Sequence, residues 1–265
     1  MRVVSWNVNS IRARLDHLVH VLDRHDPDVL LLQETRCTDA AFPHALLANR
    51  GFECAHHGLD HRNGVAIASR VGLGDIRYGF LEAPPSPFDE ARLVAATCGG
   101  VRMHSVYVPN GRTLDDAQYI YKLAWLEQLR SDLAETLLLE QGGGPPVLVA
   151  GDFNVAPADI DIYDPSRFRR TTHASPPERA ALGALKSLGL VDTMRAYDPR
   201  PERYTWWSYA PGQVSKNRGM RIDLAFSSPS LAARVERVEA DRETRELPRA
   251  SDHAPVIIDI TNITN

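Results

Sequence analysis

The sequence predicts an α+β protein or a layered sandwich, and three observations carry that prediction. Short strand-like apolar runs outnumber helical patterns, and their order is mixed rather than strictly βαβ. Several apolar runs also end abruptly in Asn, Gln, Glu or Asp, as buried strands do where they reach a surface. With 265 residues, 43% hydrophobic and 24% charged, the chain can bury a sizeable core. A single domain over residues 1–265 is expected, because the five-residue Gly-Pro break at 142–146 is an ordinary loop length.

Residues 2–8 alternate and are rich in Val and Trp, the mark of a strand entering the polar turn Asn7-Val8-Asn9-Ser10. Leu15, Leu18, Val19 and Leu22 fall at helical spacing, and Pro27 closes that helix. Residues 29–32 form a continuous apolar run ending in Gln33-Glu34-Thr35, a buried strand with polar groups at its exit. Residues 65–68, 93–97 and 101–108 read as further strands, with a Pro-rich loop at 83–89. The longest helical pattern, 115–140, offers Ile120, Leu123, Leu126 and Leu133 for a buried face and stops at Gly142-Gly143-Gly144-Pro145-Pro146. Residues 147–150 form a short strand leading to Gly151-Asp152-Phe153-Asn154, and a helix follows at 178–188. Residues 204–209, 221–226 and 256–260 complete the strands. Trp6-Asn7-Val8-Asn9 and Asp152-Phe153-Asn154-Val155 echo one another: each puts carboxamides at a strand exit, which suits two halves facing a common cleft.

Charge and composition exclude several classes. The formal net charge is -4, from 30 Lys+Arg against 34 Asp+Glu, so bulk attraction to a polyanion is not the mode of action. Of the basic residues 27 are Arg, whose planar fork suits phosphate, although codon bias accounts for the excess equally well. Three cysteines, Cys37, Cys54 and Cys98, have no metal-binding spacing and fit reduced thiols. The apolar runs are too short to span a bilayer, and no export signal opens the chain, so a cytoplasmic location is expected.

Five segments place acid, amide or imidazole groups beside strands: Asn7/Asn9, Gln33-Glu34-Thr35, Gly151-Asp152-Phe153-Asn154, Arg221-Ile222-Asp223-Leu224 and Ser251-Asp252-His253-Ala254-Pro255. Carboxylates and amide oxygens without a Cys pair form a hard donor set, suited to Mg²⁺ or Mn²⁺ and not to zinc. Taken singly, Asn and Asp at strand exits are more often turn residues or helix caps. Asp223 differs, because Ile222, Leu224 and Phe226 mark its strand as buried and a charge there needs a partner such as a His.

The sequence resembles the exonuclease III family of apurinic/apyrimidinic endonucleases, in the wider endonuclease/exonuclease/phosphatase group. The match is carried by Ser5-Trp6-Asn7-Val8-Asn9, Leu32-Gln33-Glu34-Thr35, Tyr107-Val108-Pro109-Asn110-Gly111, the Gly151–Pro157 segment, Lys216-Asn217-Arg218-Gly219-Met220-Arg221-Ile222-Asp223, and Ser251-Asp252-His253-Ala254-Pro255, in family order. The resemblance implies a DNase I-like four-layer α/β sandwich, two facing mixed β-sheets flanked by helices. It implies a Mg²⁺-dependent DNA repair phosphodiesterase, with Mn²⁺ as substitute, that cleaves 5′ to abasic sites in duplex DNA. Activity at 3′ ends, as a 3′→5′ exonuclease or 3′-phosphodiesterase, and a monomeric state are implied with it.

Residue by residue, the resemblance makes Glu34 the principal metal ligand, with Asn7, Asp152, Asn154 and Asp252 contributing. Asp152 would activate or position water and Asn154 would hold it in line. His253, oriented by Asp223, would contact a phosphate oxygen, with Tyr107 close by; Asp152 and His253 both remain candidates for the general base. Trp206 would pack against a base-free deoxyribose, with Met220 and Ile222 lining its pocket. Asn110, Arg112 and Arg218 are candidate DNA contacts. The chain departs from the family pattern at Ser10, where Gly is common, at Arg36, where Lys is common, at Arg62-Asn63 and at Ala91. Two other readings compete: the same fold acting on a phospholipid or inositol phosphate, and an inactive DNA-binding scaffold. The complete set of catalytic positions argues against the second.

Overall fold

In the computed structural model of the chain, the described residues are 1–81 and 90–261; the expected loop at 83–89 lies outside them. The strands in chain order are β1 (Arg2–Asn7), β2 (Val29–Gln33), β3 (Glu53–Leu59), β4 (Arg62–Ser69), β5 (Gly74–Tyr78) and β6 (Leu93–Cys98). They continue with β7 (Val101–Tyr107), β8 (Val147–Asp152), β9 (Val191–Asp192), β10 (Asp223–Ser227), β11 (Val235–Ala240) and β12 (Val256–Ile260). The helices are α1 (Leu15–His25), α2 (His44–Ala48), α3 (Ala117–Gln141), α4 (Pro176–Ser187), α5 (Thr193–Tyr197), α6 (Pro229–Ala232) and α7 (Arg242–Glu246).

Two six-stranded mixed sheets result, in the orders β11-β12-β1-β2-β4-β3 and β5-β6-β7-β8-β10-β9. Each has one parallel pair near its centre, β1 with β2 and β7 with β8. The sheets face one another across a shared core that includes Val3, Val29, Leu31, Val94, Met103, Leu148 and Ile258. Because side chains alternate along a strand, the intervening residues face outward. Val4, Leu30 and Leu32 pack under Leu18, Val21 and Leu22 of α1, while Val147 and Val149 pack under Leu126, Leu129 and Leu133 of α3 and Leu182 of α4. Strands buried on both faces therefore read as unbroken apolar runs, and the layer order is helix, sheet, sheet, helix. Near one end Gln33 stitches the layers together, donating from Nε2 to Ser105 Oγ at 3.0 Å.

The structure adds the short helices α2, α5, α6 and α7, which the sequence did not predict, and three further departures stand out. The buried face of α3 is Tyr119, Lys122, Trp125, Leu126, Leu129, Asp132, Leu133 and Leu137, whereas Ile120 is 71% exposed and Leu123 is half-buried. Leucines such as Leu138 and Leu139 also face solvent, so apolar spacing on this helix cannot select a side, and its inner face carries two charges. Residues 204–209 are a strap, joined by isolated bridges from Trp206 to Met220 on one flank and His253 on the other. The third departure is a set of unpredicted strands: β3, β5 and β11 at sheet edges and the two-residue β9. Their polar composition, as in Val-Glu-Arg-Val-Glu-Ala of β11, is typical of edges.

Candidate active site

Topology brings the polar strand exits together. Asn7 is the last residue of β1 opposite Gln33 at the end of β2, and Tyr107 stands opposite Asp152 at the end of the other parallel pair. β10 runs antiparallel to β8 with Asp223 in register with Asp152, and β12 leaves from His253 beside β1. Both parallel pairs thus terminate at the same end of the sandwich. Gly151 permits the close approach of β7 and β8: a Cβ there would lie 2.0 Å from the Val106 carbonyl oxygen.

Asn7 links the two halves. Its Nδ2 donates to Glu34 Oε1 and to Asp152 Oδ2, each at 2.9 Å, while its Oδ1 accepts from Asn9 N at 3.0 Å. Asn7 therefore turns its NH₂ rather than its oxygen toward the carboxylates. Glu34 adopts φ 52, in the left-handed region, and its second oxygen is held by the Arg36 guanidinium. Asp152 accepts from Asn154 N at 2.8 Å and from Asn154 Nδ2 at 3.1 Å, and Asn154 is itself left-handed at φ 52. Asn110 Nδ2 donates to Asn154 Oδ1 at 3.2 Å. Left-handed non-glycine residues gather here, including Asn9, Ser10, Glu34, Arg36 and Asn154, so local strain is concentrated at the strand exits. Ser10 has φ 82, a conformation in which glycine is unstrained, and this accounts for glycine at that position in the family pattern.

His253 stands between two carboxylates. Its Nδ1 meets Asp223 at 2.9 and 3.0 Å, and its Nε2 faces Asp152 Oδ2 at 3.8 Å. Asp223 is fixed by its own N–H, which donates to Thr205 Oγ1 at 3.0 Å. Burial opposes charge on the imidazole, yet Asp223 and Asp152 hold the proton on and push its pKa up to about 10. Burial pushes Asp152 up to about 7 against the pull of His253, with Asp223 and Glu34 adding to the rise. Burial and the neighbouring Glu34 hold the Tyr107 hydroxyl well above its ordinary value, and the Arg92 guanidinium lies 4.7 Å from the ring centre. Ligand atoms of Glu34, Asp152 and His253 all lie within 4.8 Å of one another.

Asp252 sits outside that tight set. Its oxygens accept from Asn9 Nδ2 at 2.8 Å and Trp206 Nε1 at 3.0 Å. Trp206 is half-buried and packs on Ala156, Ile162, Met220 and Ile222. Met220 and Ile222 are only 1% and 2% exposed, so they support the indole from below rather than lining an open pocket. Asn110, Arg112 and Arg218 are exposed, with Asn110 reaching the Asn154 side chain. His173, left-handed at φ 79, lies next to them: its Nδ1 donates to the Asn154 carbonyl at 2.7 Å.

Sequence reasoning named Asn9 among the polar strand exits without giving it a role, and named Arg36 only as a departure from the family pattern. Arg221 was quoted there as part of the 216–223 motif and the segment around Asp223. Arg221 is fully buried, with its guanidinium divided between Asp161 at 2.7 and 3.2 Å and Asp192 at 2.8 and 2.9 Å. No local signal separates such an arginine from an exposed one, because its acidic partners lie 29 and 60 residues away.

Comparison with known proteins agrees with this fold. Residues 4–253 match the model of the Endonuclease/Exonuclease/phosphatase family. Exodeoxyribonuclease III of Haemophilus influenzae is 32% identical over 97% of this chain and 98% of its own length. Among solved structures, the 3′ phosphatase NExo from Neisseria, bound to a product DNA hairpin, superposes with TM-score 0.92 at 38% identity, covering 98% of this chain and 99% of that one. An AP endonuclease from Archaeoglobus fulgidus gives the same TM-score, 0.92, at 33% identity over the same shares of the two chains, 98% and 99%. Among the described residues, no helix is long and apolar enough to cross a membrane.

Proposed function

This chain belongs to the endonuclease/exonuclease/phosphatase family, in its exodeoxyribonuclease III branch, and on that premise we propose a DNA repair phosphodiesterase that hydrolyses the backbone 5′ to abasic sites in duplex DNA. The observation that carries the reading is the convergence of Glu34, Asp152 and the Asp223–His253 pair where both parallel strand pairs end. We further propose that it acts as one domain over residues 1–265 and as a monomer. Its three free thiols support a reducing compartment, the cytoplasm.

The site fits a divalent cation. Burial first, and then the nearby Asp223 and Glu34, raise Asp152 to about 7 against the pull of His253, a buried acidic site whose charge a hard cation would relieve. Glu34 and Asp152 would hold Mg²⁺, or Mn²⁺ in its place, with Asp252 and the side-chain oxygens of Asn7 and Asn154 at the margin; Asn7 could contribute only if its amide turned over. His253 is geometrically close but carries its proton, so it acts as a donor rather than a ligand. The cation, when bound, would neutralise charge on the phosphate and on the departing 3′ oxygen.

The side chains divide the remaining work. Asp152, held by three N–H groups from Asn7 and Asn154, would orient water and accept its proton. Asn154 would keep that water in line with the leaving oxygen. His253 Nε2–H, aimed by Asp223 at Nδ1, would donate to a non-bridging phosphate oxygen, and the Tyr107 hydroxyl would do the same from the other sheet. Trp206, backed by Met220 and Ile222, would pack against the extruded sugar, which is cheap to flip because no base is unstacked. Asn110, Arg112 and Arg218 would meet flanking phosphates.

A second substrate, the 3′ end of a nicked or recessed strand, is supported by the 38% identity to the Neisseria 3′ phosphatase. The test is cleavage of abasic, 3′-recessed and 3′-phosphate duplexes side by side, in EDTA and with Mg²⁺ restored. Metal-dependent incision 5′ to the abasic site is expected. Full activity in excess chelator would end the metal assignment, and action on the 3′ ends alone would end the abasic one.

A further inference from the structure

Lys122 lies on the inner face of α3, beside the site but in none of its motifs, and is 0% exposed. Burying an ammonium is costly unless each of its protons is taken up. Here Nζ pairs with Glu178 in the first turn of α4 and donates to two backbone carbonyls, of Asn154 at 2.8 Å and Asn110 at 3.2 Å. Thr172 Oγ1 lies 3.3 Å away. Glu178 is saturated in turn, accepting from His173 N at 3.0 Å, Ser175 N at 2.9 Å and Ser175 Oγ at 2.7 Å.

Glu178 takes up one part of the ammonium's donor capacity, and the two carbonyls that take up more of it belong to residues linked to the site. Asn154 donates twice to Asp152, from its backbone N–H and from Nδ2, and Asn110 stands one step behind it, donating from Nδ2 to Asn154 Oδ1. Asn154 is held at φ 52, a conformation that persists only where its surroundings over-determine it. Its carbonyl also accepts from His173 Nδ1 at 2.7 Å, which leaves His173 Nε2 as the acceptor facing Asn110 Nδ2 at 3.5 Å. Burial and the Lys122 charge push His173 down to about 4, so this tautomer stays neutral.

We propose that Lys122 is a positioning residue, whose buried ammonium holds the Asn110 and Asn154 carbonyls and thereby sets the geometry of Asn154, which donates to Asp152, and of Asn110, which donates to Asn154. The proposal rests on the phosphodiesterase reading, so wild-type cleavage of an abasic duplex with Mg²⁺ is measured first. A wild type inactive on every DNA substrate would overturn that reading before any variant is compared. Lys122→Met leaves Glu178 unpaired and is expected to lower the melting temperature. Lys122→Met/Glu178→Gln removes both charges and is expected to regain most of that stability. If the ammonium positions the site, the double variant stays on the order of 30-fold below wild type in kcat, with KM changed less than about threefold. On an Asn154→Ala background the same pair of changes should cost less than about twofold more, because the two perturbations act through one relay. A stable double variant with wild-type kcat, or a loss that multiplies in full onto Asn154→Ala, overturns the proposal.

Discussion

Two buried clusters of charge lie at the same end of β10 and behave in opposite ways. Around Asp223, the carboxylates of Glu34, Asp152, Asp223 and Asp252 face one imidazolium, His253, and one guanidinium, Arg36. Two residues earlier, Arg221 and Arg195 face Asp161 and Asp192, charge for charge. The balanced cluster holds Arg221 well above its ordinary pKa: burial opposes the charge, and Asp192 and Asp161 outweigh it. The unbalanced one leaves Asp152 near 7. A satisfied network closes the fold, whereas a deficit of positive charge fits the cation and phosphate proposed for the site.

The contrast is most directly broken by removing its parts. Glu34→Gln, Asp152→Asn and His253→Ala should each lower kcat by about 10²- to 10⁴-fold while leaving the melting temperature within a few degrees. Steady-state kinetics beside thermal melts would show it, and a variant that unfolds in proportion to its lost activity would put that residue with the structural cluster. Arg221→Met should do the reverse. Leaving Asp161 and Asp192 unpaired should cost about 3–5 kcal/mol of stability, with kcat per folded molecule little changed, as read by urea melts and active-site titration.

Trp206→Ala should reduce abasic-site cleavage by about tenfold, or about 1.4 kcal/mol, and affect binding to intact duplex much less. Equal losses on both, in parallel cleavage and binding assays, would return Trp206 to the core that Met220 and Ile222 form. The smallest effect is a gradient in pH. Because Asp152 is raised, it takes a proton as pH falls through about 7 and competes with the cation. Calorimetric Mg²⁺ affinity should therefore weaken by up to about tenfold per pH unit below that value. A flat profile from pH 8 to 6 would mean that Asp152 is not a ligand.

Much of the site was legible because its residues are marked locally. Glu34 directly follows an apolar strand, Asp152 ends one and His253 comes shortly before another, and a carboxylate or imidazole at such a point is conspicuous. Asn9 and Arg36 were less so: their roles depend on left-handed turns that bring them back onto Asp252 and Glu34. The strap at 204–209 misled for a related reason. Aromatic residues suggested a strand, but its backbone pairs with one residue at a time, Met220 and then Asp252 and His253, so no ladder forms.

By itself the sequence determined the apolar strand runs, the break after α3 and the polar exits, since each depends on side chains within a few residues. Only the tertiary structure decided which side of α3 is inward, because leucines surround that helix and burial depends on what packs against it. It alone decided that Lys122 and Arg221 are interior. Their partners lie tens of residues away, and a buried charge is tolerated only where the fold delivers them. The convergence of Asn7, Glu34, Asp152 and Asp223 has the same origin: two parallel pairs and one antiparallel register end at a common edge.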